Sequence, residues 1–442
     1  MTRYPAFLLT LSTLAMVPTL GAQARPPIRQ LGAVHATTTD SLGMVNNVRA
    51  LPGGRLLIND ATSRRVLLVD STFALISIVA DSTSSTANAY GPRSGSLIAF
   101  RGDSTLFVDA ASLSMLVIDP AGKIGRVMSV PRSQDAMMLA AGGLGTGAYY
   151  SNGYLVYRGM PGFRMQMGPT GAPTMPAVAD TMAIVRVNLQ SRAVDTVGFI
   201  KIPKTNTNMV RSDDGKISIS IEVNPLPVVD DWVVTSGGDV ALIRGKDYHV
   251  DWMSPDGTHR SSPKMAFDWK RLSDEQKVAL IDSVKAIRDR AAAANPGQGN
   301  AMAAAFGAAL GTGGAAGGAA PQMVMRFETA GAAGGRPGGG AAPQIMAPQI
   351  NYVSPTDLPD YQPAFFATAA KADDDGNIWV RTIPTKPIAG GPVYDVVSAK
   401  GEVVDRVQIP ENRTIVGFGP GGVVILAARD GVTTKLERAR VK

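Results

Sequence analysis

The sequence predicts an all-β chain made of six repeated units arranged as a ring. Three observations carry this. Six short runs share one form, a Gly, Asp or Asn turn followed by a mainly apolar strand: Pro52–Asp60, Gly102–Ala110, Ser151–Gly159, Ser236–Gly245, Asp374–Thr382 and Pro420–Ala428. Each is followed by a second apolar run. The first aliphatic positions after the turns, Leu56, Leu106, Leu155, Val240, Ile378 and Val423, are spaced by 50, 49, 85, 138 and 45 residues. Three of these spacings match the ~40–50-residue period of propeller blades, so the predicted fold is a six-bladed β-propeller.

The turns justify the hairpins. A glycine in a short turn supplies the positive φ that a tight reversal needs. The runs after the turns are rich in Val, Ile, Leu and Tyr, which suit a pleated, packed surface. They lack strict polar alternation, as expected of strands buried on both faces. Second strands follow as Arg64–Thr72, Ser114–Ile124, Ala183–Val194, Tyr248–Thr258, Tyr394–Val404 and Lys435–Val441. Five innermost strands precede the turns: MVNNVRAL, SGSLIAF, DDWVVTS, AFFATAAKA and TIVGFG. The last unit is short of one strand. Arg29–Ala36, near the N-terminus, is strand-like and is expected to supply it, so that both chain ends share one sheet.

The N-terminus reads as a processing segment. Arg3 precedes a mostly apolar stretch, Phe7–Leu20, and Ala22-Gln23-Ala24 has the small-x-small cleavage pattern. A signal peptide at 1–24 is expected. The apolar run is shorter than the ~20 residues that span a bilayer, and no other segment is long enough. The mature chain is therefore expected to be periplasmic or secreted and monomeric. The domain plan assigns 25–266 to blades one to four, 267–349 to an insertion and 350–442 to blades five and six.

The insertion opens with the best helical pattern in the chain, Phe267–Ala293. Ser273 and Gln276 have capping-box spacing. Leu280, Val284, Ile287 and Ala291 form an apolar stripe, expected to dock on the protein's own rim. Ala294–Pro348 is dominated by Ala, Gly, Pro and Met. It offers too little bulky apolar area to offset the entropy of ordering, so it reads as an excursion from the propeller surface. A second insertion covers Met160–Ala179 and the hydrophilic stretch around Thr205–Lys216.

Composition limits the chemistry. Cysteine is absent, which excludes disulfides, thiolate metal sites and a lipid-modified cysteine. The formal net charge is +7, yet Lys and Arg form no dense stripe, so nucleic acid is not an expected partner. The three histidines, His35, His249 and His259, form no H-x-x-x-H pair. Asp373, Asp374 and Asp375 precede Gly376 but lack the alternating spacing and distant Glu of a calcium loop. The same turn signal recurs at Asp213-Asp214-Gly215, so the three aspartates read as a solvated hairpin turn. Neither a G-x-S-x-G elbow nor a Lys-containing phosphate loop is present.

The first unit, Gly54–Asp70 (GRLLINDATSRRVLLVD), resembles the six-bladed propellers of the NHL and TolB-like kind. Asp109 and Asp119 keep the pattern in the second unit. Arg244 and Arg381 stand where it would place an acid. The resemblance covers most of the chain and implies the fold, many such proteins being exported. Among related propellers, SMP-30-type lactonases hold a divalent ion with a Glu, Asn and Asp set, which does not map onto this sequence. Glu222 reads as an isolated strand residue of the fourth blade. Fold does not dictate function. The expected site is one channel mouth, with Asn46, Arg93, Asp230, Asp231 and Trp232 as candidate ligand-binding residues. Trp232 has an alternative role as packing between blades, and Asp230 as a turn residue. The leading expectation is a non-catalytic binding or scaffold module for an unidentified small molecule or envelope protein, with no cofactor assigned. The alternative is a propeller hydrolase or lyase using a divalent metal in the channel. A third reading makes the insertion helix the partner-binding element.

Overall fold

The computed structural model describes residues 25–83, 89–93, 95–140, 148–159, 166–167, 173–174, 179–204, 206–211, 217–294, 349–386, 388–431 and 433–441. The expected signal peptide at 1–24, nearly all of Ala294–Pro348 and most of Met160–Ala179 lie outside the described residues. Six four-stranded antiparallel blades form a β-propeller. Blade 1 is Val45–Ala50, Leu56–Asp60, Arg65–Val69 and Leu75–Ala80; blade 2 is Ser96–Ala99, Thr105–Asp109, Ser114–Ile118 and Ile124–Ser129. Blade 3 is Tyr149–Ser151, Tyr154–Arg158, Thr181–Asn188 and Val194–Lys201; blade 4 is Asp231–Val234, Val240–Arg244, His249–Met253 and His259–Ser261. Blade 5 is Phe365–Ala372, Ile378–Thr382, Val393–Val397 and Val403–Gln408. Blade 6 is Arg413–Gly419, Val423–Asp430 and Thr433–Arg440, completed by Val34–Thr37.

Side-chain alternation explains the apolar runs. In Leu56–Asp60 every residue is buried. Leu56 and Ile58 pack with Ile425 and Leu436 of blade 6, while Leu57 packs with Leu97 and Phe107 of blade 2. Successive side chains of a strand point to opposite faces, and here each face meets a neighbouring blade. The same arrangement joins blades 2 and 3, 3 and 4, 4 and 5, and 5 and 6. Each fully buried Leu or Ile contributes about 1.5–3 kcal/mol relative to exposure, so the interblade layers are the main cohesive element.

The N-terminal closure is more elaborate than the sequence predicts. Val34–Thr37 pairs antiparallel with Thr433–Arg440, as expected. Ile28–Gln30 instead adds a parallel fifth strand to blade 5, alongside Val403–Gln408. Arg25 reaches further: its guanidinium bonds the buried Asp395 at 3.2 Å and Asp268 at 3.1 Å.

The insertions form a separate small sheet. Asn206–Arg211 pairs with Ile217–Val223, which runs parallel to Gln349–Tyr352. Glu222 therefore belongs to this sheet and not to blade 4, and its carboxylate accepts from Asn206 Nδ2 at 2.8 Å. Blade 5 begins at Phe365. The helix is Asp274–Ala294, with Ser273 and Gln276 capping each other at 3.1 and 3.3 Å. Its buried face differs from the predicted stripe: Lys277, Ile281 and Val284 are inward, whereas Ile287 is 40% exposed. Lys277 can face inward because its ammonium reaches Asp360 at 2.8 Å while its stem lies on apolar surface. The helix packs on Leu226, Leu358 and Tyr352, with Phe366 of blade 5 in the same cluster. It thus sits at the face where the innermost strands begin. No helix among the described residues is long and apolar enough to cross a membrane.

Candidate functional site

The innermost strands converge on a cavity of about 340 Å³. Its walls come from all six blades, and its lining residues fall towards the ends of these strands, opposite the helix. Register defines one rung of the wall. Arg49 faces Leu57, Leu97 faces Phe107, Tyr149 faces Val156, Lys371 faces Trp379 and Phe418 faces Val424. Each partner directly follows a first aliphatic residue of the repeat. All five inner residues line the cavity, together with Ser96, Thr235 and Ser236. The rung therefore carries two cations, two aromatic rings and one leucine.

These polar groups are incompletely paired. Arg49 Nη1 donates to the carbonyl of Ala50 at 2.5 Å, but its buried Nε has no partner. Ser96 is 1% exposed and its buried Oγ is also unpaired. Burial pushes the Arg49 guanidinium below its ordinary value, while Asp374 and Asp103 act against that shift. Burial likewise pushes the Lys371 ammonium down, opposed by Asp231. Burial pushes the Tyr149 phenol up, and the charge of Asp231 adds to this.

The five predicted residues separate. Asp231 is buried, and its carboxylate accepts from the N–H groups of Trp232 at 2.9 Å and Ala370 at 2.8 Å. Burial pushes its pKa up to about 7, against those N–H groups and the charge of Lys371. It lies behind the wall, in electrostatic reach of Tyr149, Arg158 and Lys371. Asp230 turns away: it accepts from Arg244 Nη1 at 2.9 Å, Lys201 N at 3.0 Å and Gly245 N at 3.1 Å. Arg244 thus ties Asp230 to Asp251. Trp232 packs between blades 3 and 4, edge-on to Tyr149 with centroids 5.4 Å apart. Arg93 is exposed and directs Nη1 at Met137 Sδ, 3.3 Å away. The side chain of Asn46 lies outside the description. Its neighbour Asn47 lines the cavity and donates to the carbonyl of Leu97 at 2.7 Å.

The aspartate turn differs from a solvated hairpin. Asp373 is 9% exposed and accepts from Asn377 N at 2.7 Å, Asn377 Nδ2 at 3.0 Å and Trp379 Nε1 at 2.9 Å. Asp375 reaches blade 6, accepting from the N–H groups of Gly421 and Gly422. Asp374 and Asp375 both stay exposed, Asp374 at the cavity mouth. Gly376 has φ +87°, the left-handed value the turn requires.

The innermost strand of blade 5 is also distorted beside Asp231. Four residues lie between Phe365 and Ala370, whereas only Arg381 lies between their partners Thr382 and Val380. Among the four, Thr368 has φ +64°, a strained value for a β-branched residue. Arg49, Lys371, Tyr149 and Ser96 were not among the predicted site residues. One signal could have found the cations: each lies seven residues ahead of the first aliphatic of its unit, Leu56 and Ile378 respectively.

No family model matches the chain, and no curated protein matches it. Solved structures do. A member of the DUF4221 family from Bacteroides vulgatus is 8% identical, covering 95% of this chain and 98% of its own, with a TM-score of 0.43. A gluconolactonase from Xanthomonas campestris is 10% identical over 95% and 98%, with a TM-score of 0.34. A calcium-binding protein, regucalcin, from Agrobacterium tumefaciens is 11% identical over 94% and 98%, with a TM-score of 0.36.

Proposed function

We propose that the protein is an exported, non-catalytic binding module that holds a small molecule in the central channel of the propeller. One observation carries the reading. The Arg49 guanidinium and the Ser96 hydroxyl line the cavity with buried polar atoms that lack partners among the described residues. An unpaired buried donor costs about 1–3 kcal/mol, and a ligand in the channel would recover that. The cavity volume of about 340 Å³ falls within the small-molecule range. Export rests on Phe7–Leu20 and the Ala22-Gln23-Ala24 pattern.

The metal-assisted hydrolase or lyase alternative would need carboxylates and amides that converge on one ion. Among the described residues no group of three His, Asp or Glu side chains is placed to hold a metal ion. The channel reading is tested by thermal-shift screening of a small-molecule library against wild type and Ala99→Trp. Ala99 is exposed on the cavity wall, so the indole would fill the channel without displacing core. Ligands are expected to raise the Tm of the wild type and to leave Ala99→Trp unshifted. Equal shifts in both proteins would place binding elsewhere.

A further inference from the structure

We propose that the channel selects a small organic monoanion, a carboxylate held between Arg49 and Lys371 with its apolar body against Tyr149 and Phe418. This rests on the channel being the ligand site. The two cations stand on the same rung, Arg49 on blade 1 and Lys371 on blade 5, with Phe418 of blade 6 between them in ring order. All three line the one cavity. Neither cation forms an ion pair among the described residues, and Lys371 has no hydrogen-bond partner there. A desolvated cation without an acceptor is costly, and proteins pair such groups or use them.

The neighbouring carboxylates do not fill this role. Asp373 is occupied by Asn377 and Trp379, and Asp231 by the backbone of Trp232 and Ala370. Asp374 lines the mouth and acts on Arg49 through its charge, but forms no ion pair with either cation among the described residues. The lining sets Arg49 and Lys371 against Asp373 and Asp374, so selection rests on the free donors of the two cations, from which one carboxylate can accept at once. A planar carboxylate also matches the guanidinium fork of Arg49 through two parallel hydrogen bonds. The rest of the wall combines apolar surface from Leu97, Ile98 and Val416 with the Ser96 and Thr235 hydroxyls. That suits a ring-bearing acid better than a bare inorganic anion.

Isothermal titration with benzoate, its neutral isostere benzamide and inorganic phosphate tests this on wild type, Lys371→Met, Arg49→Gln and Ala99→Trp. Benzoate is expected to bind wild type at least about tenfold more tightly than benzamide, the scale of one charge-assisted hydrogen bond. Lys371→Met and Arg49→Gln should each remove that preference while leaving weak benzamide binding in place. Lys371→Met replaces an unpaired cation by an apolar chain of similar length, so its Tm should not fall; that control separates lost binding from lost fold. Equal binding of benzoate and benzamide, abolished in Ala99→Trp, would overturn the anion proposal and leave the channel reading standing. Phosphate binding more tightly than benzoate would overturn the monoanion choice. No binding of any probe to wild type would count against both the anion proposal and the channel reading.

Discussion

The carboxylate of Asp231 accepts the backbone N–H of Ala370 at 2.8 Å, tying the innermost strand of blade 4 to that of blade 5. The tie has a pH signature. Burial raises the folded pKa of Asp231 to about 7, above the ~3.9 of an unfolded Asp. Between those values the native state binds the extra proton, so this group's stabilising contribution is full below pH ~4 and lost as pH rises through 7. The slope approaches about 1.4 kcal/mol per pH unit within that window. Urea denaturation across pH 5–8 should show wild type losing stability with rising pH and Asp231→Asn losing markedly less. Identical slopes would show that Asp231 titrates normally.

Asp373 and Asp374 are adjacent in sequence and opposite in role. Asp373→Ala strips three donors of their acceptor, including the buried indole of Trp379, and should cost about 3 kcal/mol. Asp374→Ala, at an exposed position, should stay within about 0.5 kcal/mol. Chemical denaturation of the two variants distinguishes a structural clasp from an acidic surface turn.

Arg25 ties the N-terminal segment to blade 5 through Asp395. Asp395 is fully buried and is also bonded by Arg406 at 3.3 Å and by Tyr248 Oη at 3.1 Å. Removing one partner of a buried charge is strongly destabilising, so Arg25→Ala should cost about 3 kcal/mol. Arg25→Ala combined with Asp395→Asn should cost less than the sum of the single changes. Additive losses in this cycle would mean that the two side chains do not interact.

The insertion helix depends on its cap. Ser273→Ala removes one half of the reciprocal bond with Gln276 and should cost about 1 kcal/mol. The loss should be local: faster amide exchange within Asp274–Ala294, with the exchange of the blade strands unchanged. Faster exchange in the blades as well would show that the helix supports the ring.

The ring was legible in the sequence because its physics is local and periodic. Glycine turns, apolar runs and a recurring spacing fix where Leu56, Leu106 and Ile378 sit, and the missing strand of blade 6 demanded a partner such as Val34–Thr37. What escaped prediction was set by distant partners. Ile28–Gln30 pairs in parallel through its backbone, which leaves no side-chain pattern. Gln349–Tyr352 joins Ile217–Val223 across more than a hundred residues. The helix turned its Lys277 face inward because Asp360, far along the chain, accepts the ammonium. Asp373 looked like its solvated neighbours until Trp379 was placed beside it. At the channel, Asp231 was named for its place at the start of an inner strand, whereas Arg49 and Lys371 share a rung whose only trace in the sequence is their common offset of seven residues from Leu56 and Ile378.

The most direct test of the channel account is a crystal structure of the protein soaked with benzoate. The account predicts density for the ring against Tyr149 and Phe418, with the carboxylate within hydrogen-bond distance of the Arg49 guanidinium and the Lys371 ammonium. An empty channel at saturating benzoate, or a ligand bound outside it, would contradict the account.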